Sequence, residues 1–171
     1  MTTDVYPTGT IHREASFSAC RTYRYTLSRI WGAQEQGLLV FIMLNPSTAD
    51  ALYNDPTVER CQRRAVQGGY GGLMVVNLFA LRATQPFLLK QRQDPVGPDN
   101  DRSILQVCSI PEATVVCGWG THGVLGGRDR KVIKMLQLQG IPLHALKVSK
   151  KGHPWHPLYV SYETKPQPWF P

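Results

Sequence analysis

The apolar positions of this chain fall in short unbroken runs, separated by stretches with helical spacing or rich in turn residues. Leu38 to Leu44 is one such run, with Val40, Phe41 and Ile42 inside it, and it reads as a strand buried on both faces of a sheet. It stops at Asn45-Pro46-Ser47-Thr48, where proline cannot extend a ladder and short polar side chains turn the backbone through local hydrogen bonds. Leu73 to Leu78 is a second buried strand with an asparagine near its end. Ala113 to Cys117 is a third, closed by Gly118-Trp119-Gly120, and Leu143 to Val148 is a fourth. Helices lie between them. Asp55 is placed as an N-cap, with Pro56 at the first helical position of a helix reaching to about Gln67 and ended by Gly68, Gly69, Gly71 and Gly72. Asp99 or Asn100 caps a second helix containing Ile104, Leu105 and Val107. A third runs from about Arg128 to Gln139, with Val132, Ile133, Leu136 and Leu138 on its buried side and Gly140 as its stop.

The remaining segments read as connections. Residues 1–15 form an irregular arm, and Phe17 to Trp31 alternates aromatic and polar residues (Tyr23, Tyr25, Leu27) as an edge strand or hairpin does. Gln34 to Gly37 is a polar turn, and Arg82 to Asp101, rich in Pro, Gln and Asp, is a surface loop. Residues 163–171 are too proline-rich for a helix or a central strand, although Trp169 and Phe170 are positioned to dock on the body. Strands alternating with helices predict an α/β fold in one domain. The expectation is a three-layer α/β/α sandwich with a mostly parallel four-stranded central sheet and an added N-terminal edge strand or hairpin.

Composition narrows the class without naming it. An apolar fraction of 42% and a charged fraction of 18% over 171 residues suit a globular protein with its own core, and no run approaches the length of a transmembrane helix. The N-terminus, M-T-T-D-V-Y-P, has no basic region followed by an apolar core, so no signal peptide is expected and a cytoplasmic location follows. Cys20, Cys61, Cys108 and Cys117 make no C-x-x-C pair and are expected to be reduced and mostly buried. The balance of 19 Lys and Arg against 12 Asp and Glu, a net charge of +7, favours a polyanionic partner, with nucleic acid first among them. The chain is read as a monomer.

If the four strands are parallel, their carboxyl ends bring distant polar residues to one edge, where ligands of open α/β sheets bind. Those ends carry Asn45-Pro46-Ser47, Asn77, Gly118-Trp119-Gly120 and the segment from Lys150 to Pro157, which includes Lys151, His153 and His156. An asparagine offers both a donor and an acceptor and suits reading a base edge or orienting a water. A histidine can donate to an oxygen that gains charge as a bond breaks. Plainer roles fit the same residues: Asn45 and Asn77 as turn closers, Asp55 as a helix cap, His12, His122 and His144 as structural or exposed. His153 and His156 have no carboxylate near them in sequence, so no metal is expected.

The arrangement resembles the uracil-DNA glycosylase superfamily. Met43-Leu44-Asn45-Pro46-Ser47 is similar to its first motif, G-Q-D-P-Y or G-[IM]-N-P-G. Val75-Val76-Asn77-Leu78 is similar to the end of its second strand. His156-Pro157-Leu158-Tyr159-Val160 is similar to its last motif, H-P-S, with Leu158 in place of Ser. A closer resemblance, spanning Tyr23 to Tyr159, is to an uncharacterised bacterial domain family that carries Y-R-Y-x-L-S-R, M-L-N-P-S-T-A-D, N-D-P-T, V-V-N-L-F-A-L-R-A and H-P-x-H-P-L-Y. That closer family supplies no reaction.

The superfamily resemblance implies a base-excising N-glycosidase without a cofactor. It implies Asn45 as the residue that positions the attacking water, Asn77 as the reader of the base, and His156 as the group that stabilises the departing base's oxygen. Leu158 or Tyr159 would fill the gap left by an extruded nucleotide. Arg82, Lys150 and Lys151 would hold phosphates, of DNA in preference to RNA. The small Ser47 stands where G-Q-D-P-Y has a bulky Tyr, so the pocket is expected to admit a 5-substituted or otherwise modified base. Tyr53 is the candidate stacking aromatic, and the cysteine spacing does not match the superfamily's iron-sulfur branch, so no cluster is expected. Two other readings stand beside this one: a non-catalytic module that recognises a modified or flipped base, as a sensor or an adaptor in phage defence, and a hydrolase of free nucleosides or nucleotides.

Overall fold

A computed structural model describes residues 9–171. Its centre is a seven-stranded sheet in the order β1-β2-β4-β3-β5-β6-β7. The strands are β1 (His12–Phe17), β2 (Arg24–Ile30), β3 (Leu38–Met43), β4 (Gly72–Asn77), β5 (Ala113–Cys117), β6 (Leu143–Ala145) and β7 (Gln167–Pro168). The sheet is mixed. β4, β3, β5 and β6 run parallel in that order, whereas β1 with β2, β2 with β4 and β6 with β7 pair antiparallel. The expected four-stranded, mostly parallel sheet is therefore widened on both sides. A hairpin adds β1 and β2, so strand structure begins at His12 within the stretch read as an arm, whose residues 1–8 lie outside those described.

The C-terminal tail adds β7. Proline is tolerated there because the strand is at the sheet's edge and only two residues long. Trp169 then donates its main-chain N–H to the Leu143 carbonyl and packs its ring 5.9 Å from that of Trp119, while Phe170 is left 91% exposed. β6 is shorter than the Leu143 to Val148 run from which it was read. Beyond Ala145 the chain bends into a turn bridged between Val148 and Pro154.

The apolar runs sort by alternation onto the two faces. Val40, Ile42, Val76, Val115 and Cys117 pack against Ile104 and Val107 of α2 (Asn100–Cys108) and Val132 and Leu136 of α3 (Arg128–Leu138). Leu39, Phe41, Leu73, Val75 and Val116 pack against Val58, Cys61 and Ala65 of α1 (Pro56–Gln67). Leu138, read as part of the buried side of α3, is instead 75% exposed, because it lies in the last turn, beyond the sheet's reach. No helix among the described residues is long and apolar enough to cross a membrane.

Two caps differ in kind. Asp55 caps α1 as expected, its side chain accepting from the Val58 N–H. Asp99 is the N-cap residue of α2 but makes no side-chain cap bond. Asn100 is buried and turns its amide away from the helix onto the Asn77 and Leu78 carbonyls at 2.9 and 3.0 Å. A residue read as a helix cap is thus a clamp on the end of β4. The segment from Arg82 to Asp101 is mostly surface loop, with a 3-10 turn at Pro86–Gln91 that buries Leu89.

Candidate active site

The carboxyl ends of β3, β4 and β5 open onto a cleft of about 590 Å³. One wall is the loop after β3, from Leu44 to Asp55. The other is the loop from Ser149 to Tyr159, and Trp119 to His122 close the end between them. Main-chain bonds that continue the sheet past its strands fix these loops. Leu78 and Phe79 donate to the Met43 and Leu44 carbonyls, Gly118 to Ile42, Gly120 to Pro154, and Ala83 to Pro46, all at 2.9 to 3.0 Å. Gly118 lets them converge, since a Cβ there would press on Pro157 Cδ and Met43 Sδ.

Three side chains from different strand ends meet in this cleft. Asn45 donates both hydrogens of its amide, to the Pro46 carbonyl at 3.1 Å and the Ala83 carbonyl at 2.8 Å, so Oδ1 is left as its acceptor. Asn77 is 1% exposed, and its Nδ2 has no partner. A buried donor left unpaired costs about 1–3 kcal/mol, which a ligand acceptor would offset. His156 sits at the start of a 3-10 turn (Pro157–Tyr159), where its Nδ1 accepts the Leu158 N–H at 3.2 Å. Because Nδ1 accepts, the proton of the neutral ring lies on Nε2. Burial lowers the imidazole's pKa, and the Asp55 carboxylate opposes that only in part, so the ring is neutral at pH 7. These three side chains are therefore two amides and one neutral imidazole, each with at least one hydrogen-bonding group unspent.

The loop carrying His156 is held from α1. Arg60 donates to the Pro157 and Val160 carbonyls, and Arg64 to those of Val160, Ser161 and Thr164. The Tyr162 ring lies 4.1 Å from the Arg60 guanidinium and 5.4 Å from that of Arg64. On the opposite wall Arg29, fully buried, donates to Asn54 Oδ1 and to the Ser28, Asp50 and Tyr53 carbonyls.

Of the residues singled out from the sequence, Asn45, Pro46, Ser47, Asn77, His153, His156, Leu158 and Tyr159 all line the cleft. Tyr159 is 75% exposed at the mouth, its ring 5.8 Å from that of His156. Four do not line it. Tyr53 is 72% exposed in the loop after β3, where its N–H is tied to Asp50 Oδ1. Arg82 lies over the Phe17 ring at 5.0 Å and reaches the Arg21 carbonyl. Lys150 and Lys151 are exposed on the turn between Ser149 and His153, both of which line the cleft.

Trp119 and Gly120, expected at the end of β5, line it as well, and the structure also brings in residues that were not singled out for the site: Arg24 from β2, Asp55 and Thr57 from the start of α1, and His122. Asp55 is committed to main chain, Oδ1 accepting from Val58 and Oδ2 from Ala49. The signal for Arg24 was an arginine inside an aromatic strand pattern, Tyr23-Arg24-Tyr25, where a cation needs a partner or a cavity. Three of the cysteines are buried, and burial raises the Cys61, Cys108 and Cys117 thiols. Cys20 is exposed, and hydrogen bonding with Ser18 and Thr22 brings its pKa to about 7. No group of three or more potential metal ligands forms among the described residues.

No curated protein and no solved structure gives a significant match to the chain. One family model does, that of the protein of unknown function DUF1643, over residues 24–158. That match takes in every strand of the parallel centre, all three α-helices and every cleft-lining residue but Tyr159. The chain belongs to the DUF1643 family.

Proposed function

We propose that the cleft receives a nucleobase and that the protein is a uracil-DNA-glycosylase-like N-glycosidase, excising a modified or 5-substituted base from nucleic acid, DNA before RNA. The observation that carries this reading is the meeting of Asn45, Asn77 and His156 in one cleft with complementary hydrogen-bonding groups unspent. In this scheme Asn45 Oδ1 orients a water toward the anomeric carbon, and Asn77 pairs with the base edge. The bond from carbon to base nitrogen breaks as the water oxygen bonds to that carbon. His156 Nε2–H donates to the base oxygen that takes up the electron pair, and the water's proton passes to solvent.

A neutral donor is preferable there, since burial already disfavours the imidazolium. In this scheme the small Ser47 leaves room beside the base, and Lys150 and Lys151, exposed on the turn between the cleft-lining Ser149 and His153, would hold a strand's phosphates.

One observation favours a second reading, a module that binds such a base without cleaving it. Both hydrogens of the Asn45 amide are tied to main chain, and Asp55, the one carboxylate lining the cleft among the described residues, is spent on the Val58 and Ala49 N–H groups, so no free carboxylate base is at hand among them. The readings separate on abasic-site formation from oligonucleotides containing uracil, thymine or 5-modified pyrimidines, single- and double-stranded. The enzymatic reading expects abasic product from at least one member and its loss in Asn45→Ala and His156→Ala. Binding with no abasic product from any of them supports the module.

A further inference from the structure

Four arginines are almost wholly enclosed: Arg24, Arg29, Arg64 and Arg128, at 2%, 0%, 6% and 3% exposure. Three are anchored by several partners. Arg29 makes four hydrogen bonds and Arg64 three, while Arg128 donates to the Leu78 carbonyl and forms an ion pair with Asp101 at 2.7 Å. Arg24 has the fewest partners of the four. Its Nη1 donates to the Ala49 carbonyl at 3.0 Å, its Nε, like that of Arg64, has no partner, and it forms no ion pair among the described residues. It is also the one of the four that lines the cleft.

The charged groups whose fields reach Arg24 are Asp55, Arg82 and Arg29. Asp55 opposes the desolvation of Arg24 but gives its oxygens to the Val58 and Ala49 N–H groups, and Arg29 and Arg82 add positive charge. Burial brings the guanidinium's pKa down to about 10, so it is still a cation at pH 7. The first turn of α1, which presents Thr57 to the same cleft, adds the partial positive charge of a helix N-terminus.

We propose that Arg24 is an anion seat within the cleft, taking a phosphate or carboxylate carried by the ligand on the Nε side of its guanidinium fork. A guanidinium presents two parallel N–H groups that match either anion, and in an enclosed site it needs such a counter-charge. The ligand class narrows accordingly, to a nucleotide bound through its phosphate or a base bearing an acidic substituent. The inference goes beyond base excision and needs only that the cleft is where a ligand sits.

Calorimetric titration of the full chain with inorganic phosphate, uracil, 5-carboxyuracil, uridine and uridine 5′-monophosphate tests it. The comparison includes Arg24→Met and Arg24→Lys. The expected result is that at least one charged compound binds about tenfold tighter than its neutral parent, the gain of a charge-assisted hydrogen bond. The pair that shows the gain tells a phosphate from an acidic substituent. In Arg24→Met the ratio of charged to neutral affinity should fall to about one, and Arg24→Lys should keep part of it.

Equal affinity of charged and neutral partners for the wild type overturns the proposal, as does absence of binding by every charged compound. A gain that survives in folded Arg24→Met overturns it too. If Arg24→Met does not fold, an undiminished gain in Arg24→Lys is the contrary result, because an ammonium cannot reproduce the fork. Phosphate binding that depends on Arg24, with no binding of uracil or uridine, would keep the seat and remove the nucleobase reading. Uracil binding with no preference for charge would do the reverse.

Discussion

The two walls of the cleft are both loops of irregular backbone steadied by arginines, and they use them differently. The His156 wall is tied to α1 by Arg60 and Arg64, whose donors end on four main-chain carbonyls with the Tyr162 ring against both guanidinium groups. The Asn45 wall is tied to β2 by Arg29, which makes four hydrogen bonds, and by Arg24, which makes one bond and lines the cleft. An arginine whose donors all end on carbonyls is scaffold, since it replaces the water that an irregular loop would otherwise need. One that lines the cleft with a single bond and a donor unspent has been placed for something else. α1 links the walls, because its cap Asp55 belongs to one and its arginines hold the other.

Substitutions can break this contrast. Arg64→Ala should have the largest effect, a loss of about 3 kcal/mol in urea unfolding, because it strips three carbonyls of a charged donor. Hydrogen exchange should rise with it over residues 156–164. Asp55→Ala should cost about 1–2 kcal/mol through loss of the α1 cap and of the bond to Ala49. Tyr162→Leu should cost about 1 kcal/mol by removing the cation-π contacts. Arg24→Met should cost no more than about 1 kcal/mol, since it removes one hydrogen bond and an uncompensated buried charge together. If Arg24→Met and Arg64→Ala destabilise equally, the division between scaffold and seat is wrong.

The smallest expected effect is on pH dependence. The folded-state pKa of His156 lies below its ordinary value of 6.5, so the unfolded chain binds the proton first as pH falls. The stability contributed by the neutral ring is full above about pH 7 and declines as pH drops through 6.5 toward the folded-state value. The urea midpoint followed over that window should fall less steeply in His156→Gln than in the wild type.

Much of the parallel centre was legible in the sequence. Strands buried on both faces must be apolar throughout, which is why β3, β4 and β5 stood out, and Asp55-Pro56 marked the start of α1 by cap chemistry alone. The edges were not. β1 carries mostly exposed polar residues, and β7 contains a proline, so neither shows the apolar run that announces a core strand. In the site, polar residues at strand ends were readable because topology gathers them.

Arg24, Arg60 and Arg64 were not readable as parts of the site, because their value lies in carbonyls or a cavity supplied by loops far away in the chain. α1 did carry a hint. Val58, Cys61 and Ala65 make a narrow apolar stripe for a helix that buries a face, and Gln62 and Arg64 occupy the rest of it.

The most direct test of the cleft as a nucleobase site is the response of its own side chains, followed by nitrogen-edited NMR as uracil or a 5-substituted uracil is added. The Asn77 side-chain amide and the His156 ring should shift together and saturate at one ligand per chain, with His156 protonated on Nε2 throughout. Shifts confined to other residues, or a His156 ring that carries its proton on Nδ1, would contradict the proposed site.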